Sequence, residues 1–374
     1  MFFFRSLLVC AMTAWFITSS IIAPITAIGP LIPARARDVC ADGRARMEAD
    51  IDRMAPLARA AESETGTRRL LRRTGRCPAL NGHVLALAIG GNDIVVGGSF
   101  TNAGGVPGAN NLARWDGAQW RAVGGMQAVA GPVAALVVGG NDIVVGGAFT
   151  NAGGVPGANN LARWDGAQWR AVGSSGAIAG TVNAIAVSGN NVYVGGSFTN
   201  AGGVPGANTL ARWDGSRWHA IGGGIGNGFV TSIAVSGGDV YVGGRFTNAG
   251  GVPGANNLAR WDGAQWRAVG SPGAINGPVY ALAISGSNVS IGGAFTNAGG
   301  VPGANNLARW DGAQWRAVGS PGAINGPVYA LTTSGGDVYV GGRFTNAGGV
   351  PGANNLARWD GTQWRAVGGQ AWMP

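Results

Sequence analysis

Few residues in this chain of 374 could do covalent or metal chemistry. It has three Cys, two His and 17 acidic residues. His83 and His219 lie far apart in sequence, and His83 has no Cys, acid or second His at ligand spacing. Zinc and copper sites need three or four such groups brought together, so no metal is expected. No Ser–His or Cys–His set, clustered carboxylate pair or phosphate loop stands out, and the Gly-rich turns lack the Lys and the helix of a P-loop. The residue types that do recur at fixed spacing are Trp, Asp, Arg and Asn. Their chemistry is stacking, ion pairing and turn formation, which suits packing and recognition more than bond making.

The repeat that carries them sets the architecture. The segment Ala-Arg-Trp-Asp-Gly places its Trp at 115, 164, 213, 261, 310 and 359, at steps of 48 or 49. A second Trp follows five residues later, at Trp120, Trp169, Trp218, Trp266, Trp315 and Trp364. Each pair is preceded by Phe-Thr-Asn-Ala-Gly-Gly-Val-Pro-Gly-Ala-Asn, with its Phe at 100, 149, 198, 246, 295 and 344. Six complete copies result. Each holds four short runs rich in Val, Ile, Leu and Trp, separated by Gly, Asn, Asp and Pro; in the first copy these are 84–89, 93–100, 111–116 and 119–123. Four antiparallel strands every 48 or so residues form one propeller blade, and six blades fall within the usual range.

The expected fold is therefore all-β: a six-bladed propeller over residues 79–374. Closure into a ring is favoured over an open spiral, because it leaves no blade face or sheet edge exposed. The twelve Trp (115, 120, 164, 169, 213, 218, 261, 266, 310, 315, 359 and 364) are expected to fill the gaps between blades. The Gly pairs such as Gly97-Gly98 should mark close approach of backbone. Arg114 and Arg121 should stack on indole or pair with Asp116, and His219 reads as a neutral replacement for the second Arg.

The order of strand, double Gly, long loop, aromatic-Asp strand, turn and Trp strand resembles the kelch repeat. Trp115 stands where kelch has a Tyr, and Trp120 where it has its Trp. The wording of the repeats over about 80–370 also looks like kelch or galactose-oxidase-type propellers of bacterial exported proteins. That resemblance implies a fold and not an activity. Galactose oxidase needs a Tyr–Cys cross-link and Tyr and His copper ligands. Here no Cys follows Cys77, the only His residues are His83 and His219, and the five Tyr fall in strands. Its copper chemistry is not carried over. The expected protein is not an enzyme and needs no cofactor.

The basic excess argues little about partners. All 26 basic residues are Arg, the net charge is +9, and only +4 of it belongs to the chain from residue 77 onward. That is weak for a surface that follows phosphates, so nucleic acid is not an expected partner.

The N-terminus differs from the repeats. Arg5 precedes a stretch without charge from Ser6 to Ala34, and Ala34-Arg35-Ala36 has the small-residue form of a cleavage site. Residues 1–36 read as an export signal, which gives a periplasmic, secreted or cell-surface address; the alternative is an uncleaved anchor at 6–34. Residues 37–78 form a short Arg-rich segment. Met47, Ile51, Met54 and Leu57 share one face of a helix, and Arg68–Arg73 holds a second short helical patch. Cys40 and Cys77 could form one disulfide closing a loop of about 37 residues, or stay as two thiols.

Strand alternation sends the loop after the second strand and the connection to the next blade to one face. That polar face is the expected binding face. Its candidates are Asn102, Asn151, Asn200, Asn248, Asn297 and Asn346, with Arg245 and Arg343, which replace Ser or Ala at the loop edge. The Asn residues could equally be caps of their own turns. The expected partner is a protein contacted through this face, or a glycan held by several equivalent loops.

Overall fold

The computed structural model describes residues 80–367, apart from 127, 175 and 335. The export segment, the Arg-rich segment and the Cys40–Cys77 pair lie outside the described residues. Twenty-four strands form six four-stranded antiparallel sheets, each built from one repeat and each in chain order. Blade one comprises β1 (His83–Gly90), β2 (Asp93–Ser99), β3 (Leu112–Trp115) and β4 (Trp120–Ala122). Blade two comprises β5 (Val133–Gly139), β6 (Asp142–Gly147), β7 (Leu161–Trp164) and β8 (Trp169–Ala171). Blade three comprises β9 (Ala179–Ser188), β10 (Asn191–Thr199), β11 (Leu210–Trp213) and β12 (Trp218–Ala220). Blade four comprises β13 (Asn227–Ser236), β14 (Asp239–Thr247), β15 (Leu258–Trp261) and β16 (Trp266–Ala268). Blade five comprises β17 (Val279–Ser285), β18 (Asn288–Gly293), β19 (Leu307–Trp310) and β20 (Trp315–Ala317). Blade six comprises β21 (Val328–Ser334), β22 (Asp337–Gly342), β23 (Leu356–Trp359) and β24 (Trp364–Ala366). The protein is a six-bladed β-propeller, and the four strands expected of the first copy fall within two residues of those observed.

The first strand of each blade is innermost, because β1, β5, β9, β13, β17 and β21 follow one another side by side. Consecutive blades meet face to face. Ala86, Val95, Leu112 and Val123 of blade one take up Val133, Leu136, Phe149 and Trp169 of blade two, all buried. The same seam recurs between each following pair up to blades five and six. The double Gly makes it possible. A Cβ on Gly97 would stand 2.5 Å from Val133 Cγ1 of the next blade, and one on Gly98 would stand 2.0 Å from the His83 carbonyl of the neighbouring strand. No side chain fits either place.

Closure of the ring is not seen in the described residues. Gly341 of blade six, which corresponds to Gly97, has near it only Ala330 and Asn355 of its own blade. Leu356 is half-buried there, whereas its five counterparts, Leu112, Leu161, Leu210, Leu258 and Leu307, are at most 2% exposed. The physical reason lies in the connectivity. Each blade is one contiguous segment that starts with its innermost strand and ends with its outermost, so no strand is shared between blade six and blade one. Apolar contact alone would have to hold the last seam.

The two Trp of a pair differ. Trp120, Trp169, Trp218, Trp266, Trp315 and Trp364 are all buried, at 3–6% exposure. Of the first members only Trp115 is buried; Trp164, Trp213, Trp261, Trp310 and Trp359 are half-buried. These five still pack against the clusters between blades, as expected of them, with part of each ring left to solvent. Each pair packs tilted or edge-on across its turn, with ring centroids 5.5–5.7 Å apart, as aromatic quadrupoles prefer. The buried indole is wedged between two backbone segments. Trp266 lies under Gly250 of its own loop and against Gly222 of the preceding connection, whose carbonyl accepts its Nε1–H at 3.1 Å. Gly250 has φ +57°, and a Cβ there would come within 2.0 Å of the indole.

Candidate functional site

Two opposite faces follow from the strand directions. One holds the tight turns between first and second strands and between third and fourth strands: the hairpin face. The other holds the long loops and the connections between blades: the loop face.

The hairpin face carries the repeated charges, and they are bound to one another. The carboxylate of Asp165 accepts backbone N–H bonds from Ala167 and Gln168 at its turn, and Arg170 Nε at 2.6 Å. Asp262, Asp311 and Asp360 repeat this with Arg267, Arg316 and Arg365, each at 2.6 Å, and Asp116 does so with Arg121. In blade three His219 Nε2 takes the place of the guanidinium, 2.6 Å from Asp214. The Gln168 N–H and the Arg170 hydrogen bond draw the Asp165 carboxyl down from 3.8 to about 2. Asp262 and Asp311 are drawn to about 2 in the same way, and the His219 hydrogen bond lowers Asp214.

Arg114 does not join Asp116, contrary to one expectation. It reaches across to Asp93 on the second strand, 3.3 Å away, and Arg163, Arg260 and Arg358 likewise reach Asp142, Asp239 and Asp337 at 2.7–2.9 Å. Blades three and five have Asn191 and Asn288 where the others have this Asp.

The loop face is built from polar, uncharged repeats. Asn151, Asn200, Asn248, Asn297 and Asn346 take left-handed φ of 42–49°, opening a one-turn 3-10 segment such as Ala152–Gly154. Asn tolerates this backbone better than other residues with a Cβ. Four of their side-chain carbonyls turn back into the loop. Asn151, Asn248, Asn297 and Asn346 accept the backbone N–H of Gly157, Gly254, Gly303 and Gly352 at 3.0–3.3 Å. Asn102 accepts that of Gly105. A second Asn fixes the loop from the far side: Asn159, Asn208, Asn256, Asn305 and Asn354 accept the backbone N–H of the first at 2.7–2.8 Å. The loops are also tied to the connections between blades, as by Gly273 N–H to Gly254 O at 2.8 Å. The side chains of Asn102, Asn151, Asn248, Asn297 and Asn346 thus act as turn caps. The five candidate Asn from Asn151 onward are exposed at the surface, and Asn102 is half-buried.

Every Asp from residue 80 onward lies at or beside a turn of the hairpin face. Arg245 and Arg343, both exposed, are the charged side chains that the loop edge carries among the described residues. Arg245 lies two residues before the end of the second strand of blade four. Two shallow hollows of about 360 and 350 Å³ lie on the same face at blade six, bordered by Asn325, Arg343, Thr345 and Asn346.

One feature was missed from sequence. Each innermost strand carries a bulge at the same place, where one residue drops out of the ladder with the second strand. The bulged residues are Leu85, Ala134, Asn183, Thr231, Tyr280 and Tyr329. In a chain of near-identical copies this position changes almost every time, and that variation was the available signal. The four earlier residues serve the blades. Ala134, Asn183 and Thr231 are buried, Asn183 donates to Val230 O of the next blade, and Thr231 donates to Val279 O of the next blade at 2.6 Å. The two Tyr are half-buried and lie against each other across the seam of blades five and six, centroids 5.5 Å apart. Burial, with Tyr329 alongside, pushes the Tyr280 hydroxyl up; the nearby Arg245 charge opposes it.

Among the described residues no group of three or more His, Cys, Asp or Glu could hold a metal ion, and no helix is long and apolar enough to cross a membrane.

The model of one family, the Rax2 C-terminal β-propeller domain, matches residues 224–372, which span blades four to six. No curated protein matches this chain. Among solved structures, the computationally designed Ika8 protein is similar at 21% identity, over 76% of this chain and 74% of its own, with a TM-score of 0.44. The GH74 enzyme of Niastella koreensis is similar at 17% identity and TM-score 0.48, over 75% of this chain and 44% of its own. A chain of a nidogen/laminin complex is similar at 13% identity and TM-score 0.42, over 73% and 87%.

Proposed function

We propose that this protein is an exported, non-catalytic propeller of kelch type that binds another protein through its loop face. The observation that supports this reading is the contrast between the two faces. Most charged groups of the hairpin face are paired within their own blades, Arg212 and Arg309 facing Asn191 and Asn288 being the exceptions, while four side chains that depart from the repeat, Arg245, Tyr280, Tyr329 and Arg343, gather toward the loop face of blades four to six. Loops on a rigid scaffold are where such proteins make contact, and Tyr and Arg are the side chains that dominate binding energy at interfaces. A glycan held sixfold by the loop Asn residues is less well supported, because their side-chain carbonyls already accept backbone hydrogen bonds within the loop.

The test is photo-crosslinking in the producing cell, with a photoreactive amino acid placed in the full chain at Thr296 on the loop face or at Ser287 on the hairpin face. Both sites are exposed. A discrete adduct with a second protein from Thr296 and none from Ser287 is expected. Adducts from Ser287 alone, or binding to a glycan array with no protein adduct, would overturn the reading.

A further inference from the structure

We propose that the loop-face rim around Arg245, Tyr280 and Tyr329 recognises an acidic segment of a partner protein. The inference rests on the loop-face reading above and specifies the chemistry of its partner.

Charge comes first. On the hairpin face an Arg is balanced by an Asp of the same blade in turn after turn. No described Asp or Glu lies at the loop edge to do the same for Arg245. Arg245 is exposed, and its guanidinium has no acidic partner among the described residues. Arg343 adds a second positive charge to the same edge, and no described Asp or Glu lies there. In the sister blades this edge position is Ser99, Ala148, Ser197 and Ala294, so the fold does not require a cation. A guanidinium left in this way presents a fork of donors that matches a carboxylate.

The aromatic pair comes second. The bulge position needs no Tyr for packing, since Leu85 and Ala134 occupy it in blades one and two. Tyr280 and Tyr329 rest on the buried core of blades five and six with their outer edges half-exposed. Their hydroxyls have no hydrogen-bond partner among the described residues. They give a rigid apolar shelf with two free donors beside a cation. Such a shelf suits a peptide whose carboxylate pairs with Arg245 while its backbone or an apolar neighbour lies on the rings. An anionic polysaccharide would also satisfy the cation. The unmatched phenol hydroxyls, the single shelf and its absence from the other four blades favour one linear peptide over a repeated sugar.

The sister blades supply variants that keep the fold. Tyr280→Leu and Tyr329→Leu install the residue of blade one, and Arg245→Ser installs the residue of blades one and three. The full chain is titrated by fluorescence anisotropy with a labelled twelve-residue peptide of alternating Glu and Leu, and with its Gln-and-Leu counterpart. The Glu peptide should bind at least about tenfold more tightly than the Gln peptide. Arg245→Ser should remove most of that preference, and the Tyr280→Leu/Tyr329→Leu double variant should weaken the Glu peptide about tenfold. The Glu peptide should weaken as salt is raised from 0.05 to 0.5 M, since exposed charges are screened. Equal binding of the two peptides, or affinities unchanged in the variants, would overturn the proposal. So would binding of a polyuronate but not of the Glu peptide. If the Thr296 adduct forms as expected but persists undiminished in Arg245→Ser and in the double Tyr variant, the loop-face reading stands and this inference fails.

Discussion

The hairpin face and the loop face are made by the same repeat, yet they solve different problems. At the hairpin face each turn between third and fourth strands has an Asp that gathers backbone N–H groups and an Arg or His bonded to it, so this turn is the same closed unit in every copy. At the loop face the backbone is equally well satisfied, by Asn instead of by ion pairs, but the copies stop being equivalent. Two Arg and two Tyr appear in blades four to six where their counterparts are small or aliphatic. The difference teaches where to look in a repeat protein. Identity between copies reports packing, and a departure from it that makes no contact with a neighbouring blade, unlike Asn183 or Thr231, marks a candidate for something other than folding.

The largest effect that sharpens this contrast belongs to the wedged indole beneath each loop. Trp266→Ala should destabilise by about 3–5 kcal/mol in denaturant titration, because it empties the space between Gly250 and Gly222. Trp261→Ala, at the hairpin turn and half-buried, should cost about 1–2 kcal/mol. Equal losses would mean that the loop is not anchored by one ring. Next in size are the two loop glycines. Gly250→Ala meets the indole and should cost about 1–3 kcal/mol, while Gly251→Ala, with φ +79° and nothing within 4 Å, should cost about 1 kcal/mol from backbone strain alone. Thr231→Val removes the bond to Val279 O and should cost about 1 kcal/mol, against little change for Tyr280→Leu.

The smallest effect is one of pH. The hairpin carboxylates titrate lower in the folded chain, at about 2, than the ordinary 3.8. Their contribution is present above pH 4 and is lost as the pH falls through 2. Asp165→Asn with Asp262→Asn should flatten that acid limb of a thermal-melt series. Changes at the loop-face Asn residues should leave it unaltered.

Much of the fold was legible because period, turn residues and apolar runs are local properties. The strands of the first copy, the long loop and the shared loop face all follow from Gly97-Gly98, Asp116-Gly117 and the Trp spacing. What was not legible depends on register and on three-dimensional neighbours. Arg114 reaches Asp93 and not Asp116 because the second and third strands pair side by side, and spacing along the chain does not say which acid is nearer. Nor does spacing along the chain show that Gly341 meets only residues of its own blade. The Asn residues were visible as candidates for contact and for turn capping, and the backbone N–H groups that Asn102, Asn151, Asn248, Asn297 and Asn346 accept show the capping role. Tyr280 and Tyr329 were passed over because they read as ordinary strand residues until the bulge set them in one aligned row.

The most direct test of the loop-face account is amide hydrogen exchange on the full chain, with and without the Glu-and-Leu peptide. Added protection confined to 244–249, 276–281 and 325–330 is predicted, with the turns at 237–239 and 262–265 unchanged. Protection at those hairpin turns, or spread evenly over all six loops, would contradict it.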